Sequence, residues 1–239
     1  MQQNQVVSRD TWLAARRQLL LLEKQETHLR DKINAERLAL PWVRVEKDYL
    51  FDTPTGPKTL SQLFQGRSQL IVYHFMLGPG WGEGCRGCSF VADHLDGALP
   101  HLEHHDVTLT AISRALLSEI EIYKRRMGWR FPWVSSFAND FNVDYHVSFT
   151  AEEIAAGKVF YNFSELDAGQ AAPELPGLSA FFKDSSGEIF HTYSSYARGF
   201  EELIGTLMIL DRAPLGRNEK STMAFVRRHD EYEDVDIAL

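Results

Sequence analysis

The sequence predicts an α/β domain, with parallel strands joined through helices and a β-hairpin closing the sheet. Three observations carry that expectation. Residues 70–75 (Leu70-Ile71-Val72-Tyr73-His74-Phe75) are apolar toward both faces, as a buried parallel strand tends to be. Residues 107–112 repeat the β-branched, apolar pattern after a helical stretch, so strand, helix and strand imply a right-handed parallel crossover. Residues 178–182 and 188–193 flank Asp184-Ser185-Ser186-Gly187, a turn between two strand-like runs. Between the first strand and its helix lies Gly78-Pro79-Gly80-Trp81-Gly82-Glu83-Gly84-Cys85-Arg86-Gly87-Cys88. This stretch holds both cysteines of the 239-residue chain.

Taken in order, residues 8–40 read as one long helix. Trp12, Ala15, Leu19, Leu22, Leu29, Ile33 and Leu40 form a stripe in alternating three- and four-residue steps, interrupted by Glu26 and Glu36. At 1.5 Å per residue such a helix reaches about 50 Å, longer than a compact domain requires. It suits either a helix packed along its own domain or an arm through which a homodimer forms. Pro41 ends it. Residues 43–52 suggest a short hairpin around Lys47-Asp48, residues 53–57 a turn cluster, and residues 60–64 a single helical turn.

After the strand at 70–75 and the Cys-x-x-Cys turn, residues 90–99 read as a helix that Pro100 stops. Residues 118–127 read as the next helix, with Gly128 as its terminator. The span from about 129 to 176 is an insertion. It holds aromatic-rich loop at 131–133 and 137–141, a short strand at 145–149, and a capping box at Thr150 to Glu153. A strand-like alternation at 158–163 and a surface loop at 167–176 complete it. A closing helix at 200–210 follows the hairpin. Beyond Pro214 the chain turns polar, with an acidic run at 230–236, and reads as a solvated tail without chemistry. The expected organisation is an N-terminal helical arm (1–41), a domain (42–213) with its insertion, and a tail (214–239).

Composition bounds the function. Hydrophobic residues make up 44 % of the chain, enough for a sizeable core. The apolar runs, such as Leu19 to Leu22, fall far short of the roughly 20 residues of a spanning helix, so no membrane partner is expected. The N-terminus lacks the pattern of a secretory signal, which makes the cytoplasm the expected setting. A formal charge of −8 argues against nucleic acid as a partner. A disulfide across two intervening residues closes only a tiny loop and stabilises little, so in a reducing compartment the pair suits catalysis or metal binding better than stapling.

A cysteine pair opening a helix makes a redox dithiol, because the free N–H groups and positive end of the helix stabilise a thiolate. Cys85 and Cys88 are therefore the candidate catalytic residues. Arg86 should favour the thiolate and Glu83 oppose it, although Arg86 also suits a solvated helix start. His74 is a candidate proton shuttle, or more plainly a hydrogen-bonded core histidine. His94, His101, His104 and His105 raise the question of zinc, but their spacing to the cysteines is not that of a zinc site, so neither metal nor cofactor is expected. The polar, aromatic segment from His191 to Arg198 suits a pocket lining for a small oxidant or thiol, or a capped helix start. The aromatic loop at 129–141 reads as a cover for the sheet.

From residue 70 the order of elements looks like the thioredoxin fold, with a long N-terminal helix and an insertion before the C-terminal hairpin. The wording resembles, more closely, the thioredoxin-like family catalogued as domain of unknown function 899, whose members are labelled predicted dithiol-disulfide oxidoreductases. The matching phrases are Tyr73-His74-Phe75-Met76, Gly84-Cys85-Arg86-Gly87-Cys88-Ser89-Phe90, Arg126-Met127-Gly128-Trp129, Trp133-Val134-Ser135-Ser136 and His191-Thr192-Tyr193-Ser194. Arg198-Gly199 and Leu215-Gly216-Arg217 extend the match to nearly the whole chain. The resemblance implies a cytoplasmic thiol-disulfide oxidoreductase, with Cys85 as attacking and Cys88 as resolving cysteine. Its partners would be a small-molecule or protein disulfide or thiol and an unidentified reductant. Pro176 falls near the position where such folds place a cis-proline, although Gly177 intervenes before the apolar run. The chain departs from thioredoxin in having Trp81 four residues before Cys85, no proline between the cysteines and no acid on the first strand. Two rival readings stand beside this one: a thiol peroxidase, and a non-enzymatic thioredoxin-fold binding module.

Overall fold

The computed structural model describes residues 5–232. The chain divides into two compact units, Met1–Pro41 and Trp42–Leu239. The first is a single helix, α1 (Arg9–Leu38), capped by the Ser8 hydroxyl, which accepts the Thr11 N–H; none of its residues is buried.

The second unit begins with three two-residue strands, β1 (Val43–Arg44), β2 (Leu50–Phe51) and β3 (Lys58–Thr59), and a helical turn, α2 (Leu60–Leu63). The core elements follow: β4 (Gln69–His74), α3 (Arg86–Asp96), α4 (Leu99–His104), β5 (Val107–Ser113), α5 (Leu117–Met127) and β6 (Trp133–Ser135). The insertion supplies α6 (Phe141–Asp144), α7 (Ala151–Ala155), β7 (Lys158–Tyr161) and β8 (Ser164–Asp167). The chain closes with β9 (Gly177–Lys183), β10 (Ile189–Tyr196), a 3-10 segment (Ala197–Leu203) and α8 (Gly205–Leu210).

The main sheet has the order β1-β10-β9-β4-β5-β6. Strand β4 pairs parallel with β5 and antiparallel with β9, and β9 pairs antiparallel with β10. The inner order β10-β9-β4-β5, with the Cys-x-x-Cys helix leaving β4, is the topology of the thioredoxin fold. Side chains alternate across the sheet as strand geometry requires. Tyr73, Phe75, Ala111 and Trp133 face one core with Cys88, while Leu70, Val72, Ile112 and Phe181 face a second core on the other side. The dithiol helix belongs to the first face.

Several local expectations change. Residues 43–52 do not form a hairpin: β1 pairs with β10 and β2 with β3, and Lys47, at the expected turn, reaches Asp140 at 2.9 Å and Asp144 at 2.7 Å instead. Pro100 does not stop the first helix. Gly97-Ala98 ends α3, and Pro100 sits in the first turn of α4, where its missing N–H costs nothing. The stretch around Trp133 is not loop but β6, paired parallel with β5. Residues 145–149 are not a strand; they leave α6 and make only an isolated bridge from Ser148 to Glu174. That bridge pulls the expected surface loop inward: Glu174 is 3 % exposed, hydrogen-bonded to Ser148 and 3.4 Å from Arg114. The closing helix is split at Ile204 into the 3-10 segment and α8. The tail is not solvated throughout, since Val226 and Arg228 are buried. Residues 233–236 of the acidic run lie outside the described residues.

Candidate active site

Beyond His74 the chain runs through Phe75-Met76-Leu77 into the glycine-rich turn and returns to the end of β4, where the Cys85 N–H donates to the Met76 carbonyl at 3.1 Å. Gly84 permits that return. A Cβ at this position would lie 2.6 Å from ring carbons of both Phe75 and Tyr123. Cys85 is then the N-cap of α3, where a serine or aspartate oxygen commonly caps a helix.

The two sulfurs differ in environment. Cys85 is half-buried, and its pKa is lowered to about 6. The largest cause is the hydrogen bond from the Cys88 thiol; the N–H groups of Cys88 and Gly87 and the charge of Arg228 add to it, and burial works against them. Cys88 is 2 % exposed and sits within the first core. Burial pushes its thiol well up, and the hydrogen bond and charge shared with Cys85 push it further. The Met76 N–H reaches its sulfur at 3.5 Å, and the Tyr73 hydroxyl donates to its carbonyl at 3.4 Å. The arrangement therefore holds one thiolate at the surface end of the turn and one thiol beneath it.

The cation that acts on Cys85 is Arg228, from the tail. It is 7 % exposed, and donates from Nη2 to the Gly84 carbonyl at 2.8 Å and from Nε to the Tyr123 hydroxyl at 2.9 Å. Tyr123 in turn shares a 2.8 Å hydrogen bond with Ser89 Oγ, which donates to the Cys85 carbonyl at 2.9 Å. Arg86, expected either to support the thiolate or to be a solvated residue at the helix start, is exposed, with its Nε 3.6 Å from Glu231. Glu83 is engaged by Arg126 at 2.5 Å and Arg228 at 3.1 Å. The tail itself is held by Arg126 to Asp230 at 2.7 Å, Arg228 to Glu231 at 2.5 Å and His229 to Asp93 at 2.7 Å. Sequence reasoning missed Arg228. The available signal was the apolar Met223, Phe225 and Val226 just before it, in an otherwise polar tail.

His74 lies on the sheet face away from the cysteines. Its Nε2 is 2.9 Å from Ser179 Oγ, and the chain continues through Ser194 to His191 in two contacts of 2.8 Å. The ring stacks on Phe141 and Tyr145. Burial drives its pKa down to about 3, so it is neutral near pH 7, and the structure places it as the core histidine rather than beside the dithiol. His94 is occupied as well, with Nδ1 2.6 Å from the Phe90 carbonyl and Nε2 2.8 Å from Thr206 Oγ1. Among the described residues no group of three histidine, cysteine or acidic side chains is placed to hold a metal ion.

Pro176 does meet the dithiol, as a wall of the cavity beside it. The bond before it is trans, as are all peptide bonds of the described residues, and its carbonyl accepts from the Tyr161 hydroxyl at 2.7 Å. The cavity has a volume of about 260 Å³ and an almost wholly apolar lining. Cys85 and Cys88 line it together with Phe200, Ile204 and, from the tail, Thr222 and Met223. Of the segment from His191 to Arg198, only Ala197 and Arg198 line it; His191 and Ser194 belong to the opposite face.

Strand order, a Cys-x-x-Cys at the start of the helix leaving the central strand, and an unequal pair of sulfurs define a thioredoxin-fold dithiol protein. The chain belongs to the family described as bacterial protein of unknown function (DUF899), whose model matches residues 1–232. Among curated proteins none matches the chain. Among solved structures it is similar to a cysteine-to-serine mutant of Xanthomonas campestris peroxiredoxin Q, at 12 % identity and a TM-score of 0.45, over 68 % of this chain and 90 % of that one. It is also similar to the peroxidoxin BcpB of Mycobacterium tuberculosis, at 14 % identity and a TM-score of 0.39, over 72 % and 97 %. A mitochondrial 2-cys peroxiredoxin from Plasmodium falciparum matches at 16 % identity and a TM-score of 0.40, over 72 % and 94 %.

Proposed function

We propose that the protein is a thiol-disulfide oxidoreductase. The observation that carries this reading is the inequality of the two sulfurs: Cys85 lowered to about 6 and half-buried, Cys88 raised and fully buried one turn below it. In the proposed cycle the Cys85 thiolate attacks one sulfur of a disulfide, forming a mixed disulfide and expelling the other half as a thiolate. Capping Cys85 removes its negative charge and its hydrogen bond from Cys88, two of the causes that hold the Cys88 proton on. Cys88 then loses that proton to the departing thiolate or to solvent. It attacks the Cys85 sulfur and releases the second thiolate. Two electrons pass from the dithiol to the substrate, and an external thiol reductant restores the Cys85–Cys88 disulfide to the dithiol. Such a dithiol suits a reducing compartment, which supports a cytoplasmic setting; no helix of the described residues is long and apolar enough to cross a membrane.

A thiol peroxidase is the second reading, and one observation favours it. No threonine occurs in the cysteine motif, but Thr222 is brought by the tail into the wall of the cavity. Here Cys85 attacks a peroxide oxygen and becomes a sulfenic acid, the alkoxide leaves with a proton, and Cys88 displaces water to give the disulfide. The two readings separate by supplying a reduced protein with a disulfide or with a peroxide and counting turnovers against oxidised dithiol. Turnover with disulfide alone supports the first reading, and turnover with peroxide alone replaces it by the second. The arm α1 is proposed to pair with a second copy, supported by the exposure of Trp12, Leu19, Leu22, Leu29 and Ile33 along its three- and four-residue stripe.

A further inference from the structure

The tail turns an open groove beside the dithiol into a walled cavity, and the chemistry of those walls points to a substrate class. Residues of α3, of the 3-10 segment and of the tail line a half-open cavity of about 260 Å³ that Cys85 shares. The lining is apolar, and Met223, Phe200, Ile204 and Val91 share it with the sulfur. Of the two charged residues that line it, Arg198 is exposed and spends its Nε on Glu201 at 2.5 Å, and Glu201 also binds Arg217, so neither charge is left without a partner. The wall is held in a costly backbone. Ala197 and Met223, on two sides of the cavity, are non-glycine residues with φ of 48° and 60°. Backbones in that region persist only where surrounding structure over-determines them, and such positions gather at functional sites. Met223 is seated by its own N–H, which donates to Glu219 Oε2 at 2.6 Å, and its methyl lies 3.4 Å from where a Cβ on Gly87 would stand.

We infer that this site takes a small, uncharged, apolar disulfide, with Met223, Phe200 and Ile204 as the residues that select it, and that it excludes the disulfides of folded proteins. The inference rests on the thiol-disulfide reading above and narrows its substrate. A neutral, largely apolar molecule loses little on leaving water for such a lining, whereas a carboxylate loses its hydration and meets only Arg198, an exposed cation that Glu201 already engages. Met223 of the tail stands against Gly87, between the two cysteines in sequence, and narrows the room a folded protein surface has at Cys85.

The test compares matched chromogenic disulfides, neutral dithiobis(nitropyridine) and its dicarboxylate counterpart dithiobis(nitrobenzoate), each corrected for its rate with free glutathione, together with insulin as a protein disulfide. The expected result is a kcat/KM at least tenfold higher for the neutral compound than for the dicarboxylate, with insulin slowest. Met223→Glu, with its fold checked by circular dichroism, is expected to raise KM for the neutral compound at least tenfold. Equal rates, a preference for the dicarboxylate, or insulin reduced as fast as the neutral compound overturns the substrate class while leaving the thiol-disulfide reading intact. If no disulfide turns over, the thiol-disulfide reading fails. The cavity is then judged by whether diphenyl sulfide, an unreactive apolar probe, slows alkylation of Cys85. Protection supports an apolar ligand at this site, and absence of protection overturns it.

Discussion

The lowered Cys85 pKa has named causes, and two of them, the Cys88 thiol and the Arg228 charge, can be removed singly. Alkylation of Cys85 by iodoacetamide is expected to follow a titration with its midpoint at about pH 6. Cys88→Ala removes the largest cause, so it moves the midpoint up toward the free-thiol value of about 8.5. Arg228→Gln moves it in the same direction by less, and Arg228→Lys restores part of the shift; a merely structural role for Arg228 predicts lost stability with the midpoint unmoved. On the opposite face the His74 pKa is lowered as well, there by burial, which disfavours the charged ring. Its folded pKa of about 3 lies below the unfolded value of 6.5, so the unfolded state binds the proton first and acid favours unfolding. Stability is expected to fall between pH 6.5 and about 3, by on the order of a few kcal/mol, as urea midpoints measured across that window would report. His74→Leu flattens this limb of the profile.

At the scale of elements, the dithiol turn depends on the close approach of Gly84 to two rings. Gly84→Ala forces a Cβ to 2.6 Å from Phe75 and Tyr123, and is expected to cost about 1–3 kcal/mol in urea unfolding, with a slower Cys85. Elements whose pattern is local were legible in the sequence. The apolar run of β4, the turn at Asp184 to Gly187 and the Cys-x-x-Cys at a helix start all follow from neighbours a few residues apart. Those that depend on distant partners were not. Strand β6 looks like aromatic loop until β5 pairs with it, and Glu174 looks like surface until Ser148 and Arg114 meet it. The same reason hid Arg228, whose partners Gly84 and Tyr123 lie more than a hundred residues earlier in the chain. Ending the chain at residue 220 removes Met223, Val226 and Arg228 together, and is expected to raise the Cys85 midpoint at least as far as Arg228→Gln does.

For the whole molecule, the thioredoxin order of β10-β9-β4-β5 supplies the platform, and additions on either side modify it. The long α1 forms a unit of its own, with its apolar stripe exposed. Light scattering is expected to give the mass of a dimer for the full chain and of a monomer for residues 42–239; an unchanged oligomer after deletion removes α1 from that role. The central claim, an attacking Cys85 resolved by Cys88, is tested most directly by mass spectrometry of the two single variants after exposure to a neutral disulfide. Cys88→Ser is expected to accumulate a mixed disulfide on Cys85, and Cys85→Ser to accumulate none and turn nothing over. Sustained turnover by Cys85→Ser, or a stable adduct found on Cys88 instead, would contradict it.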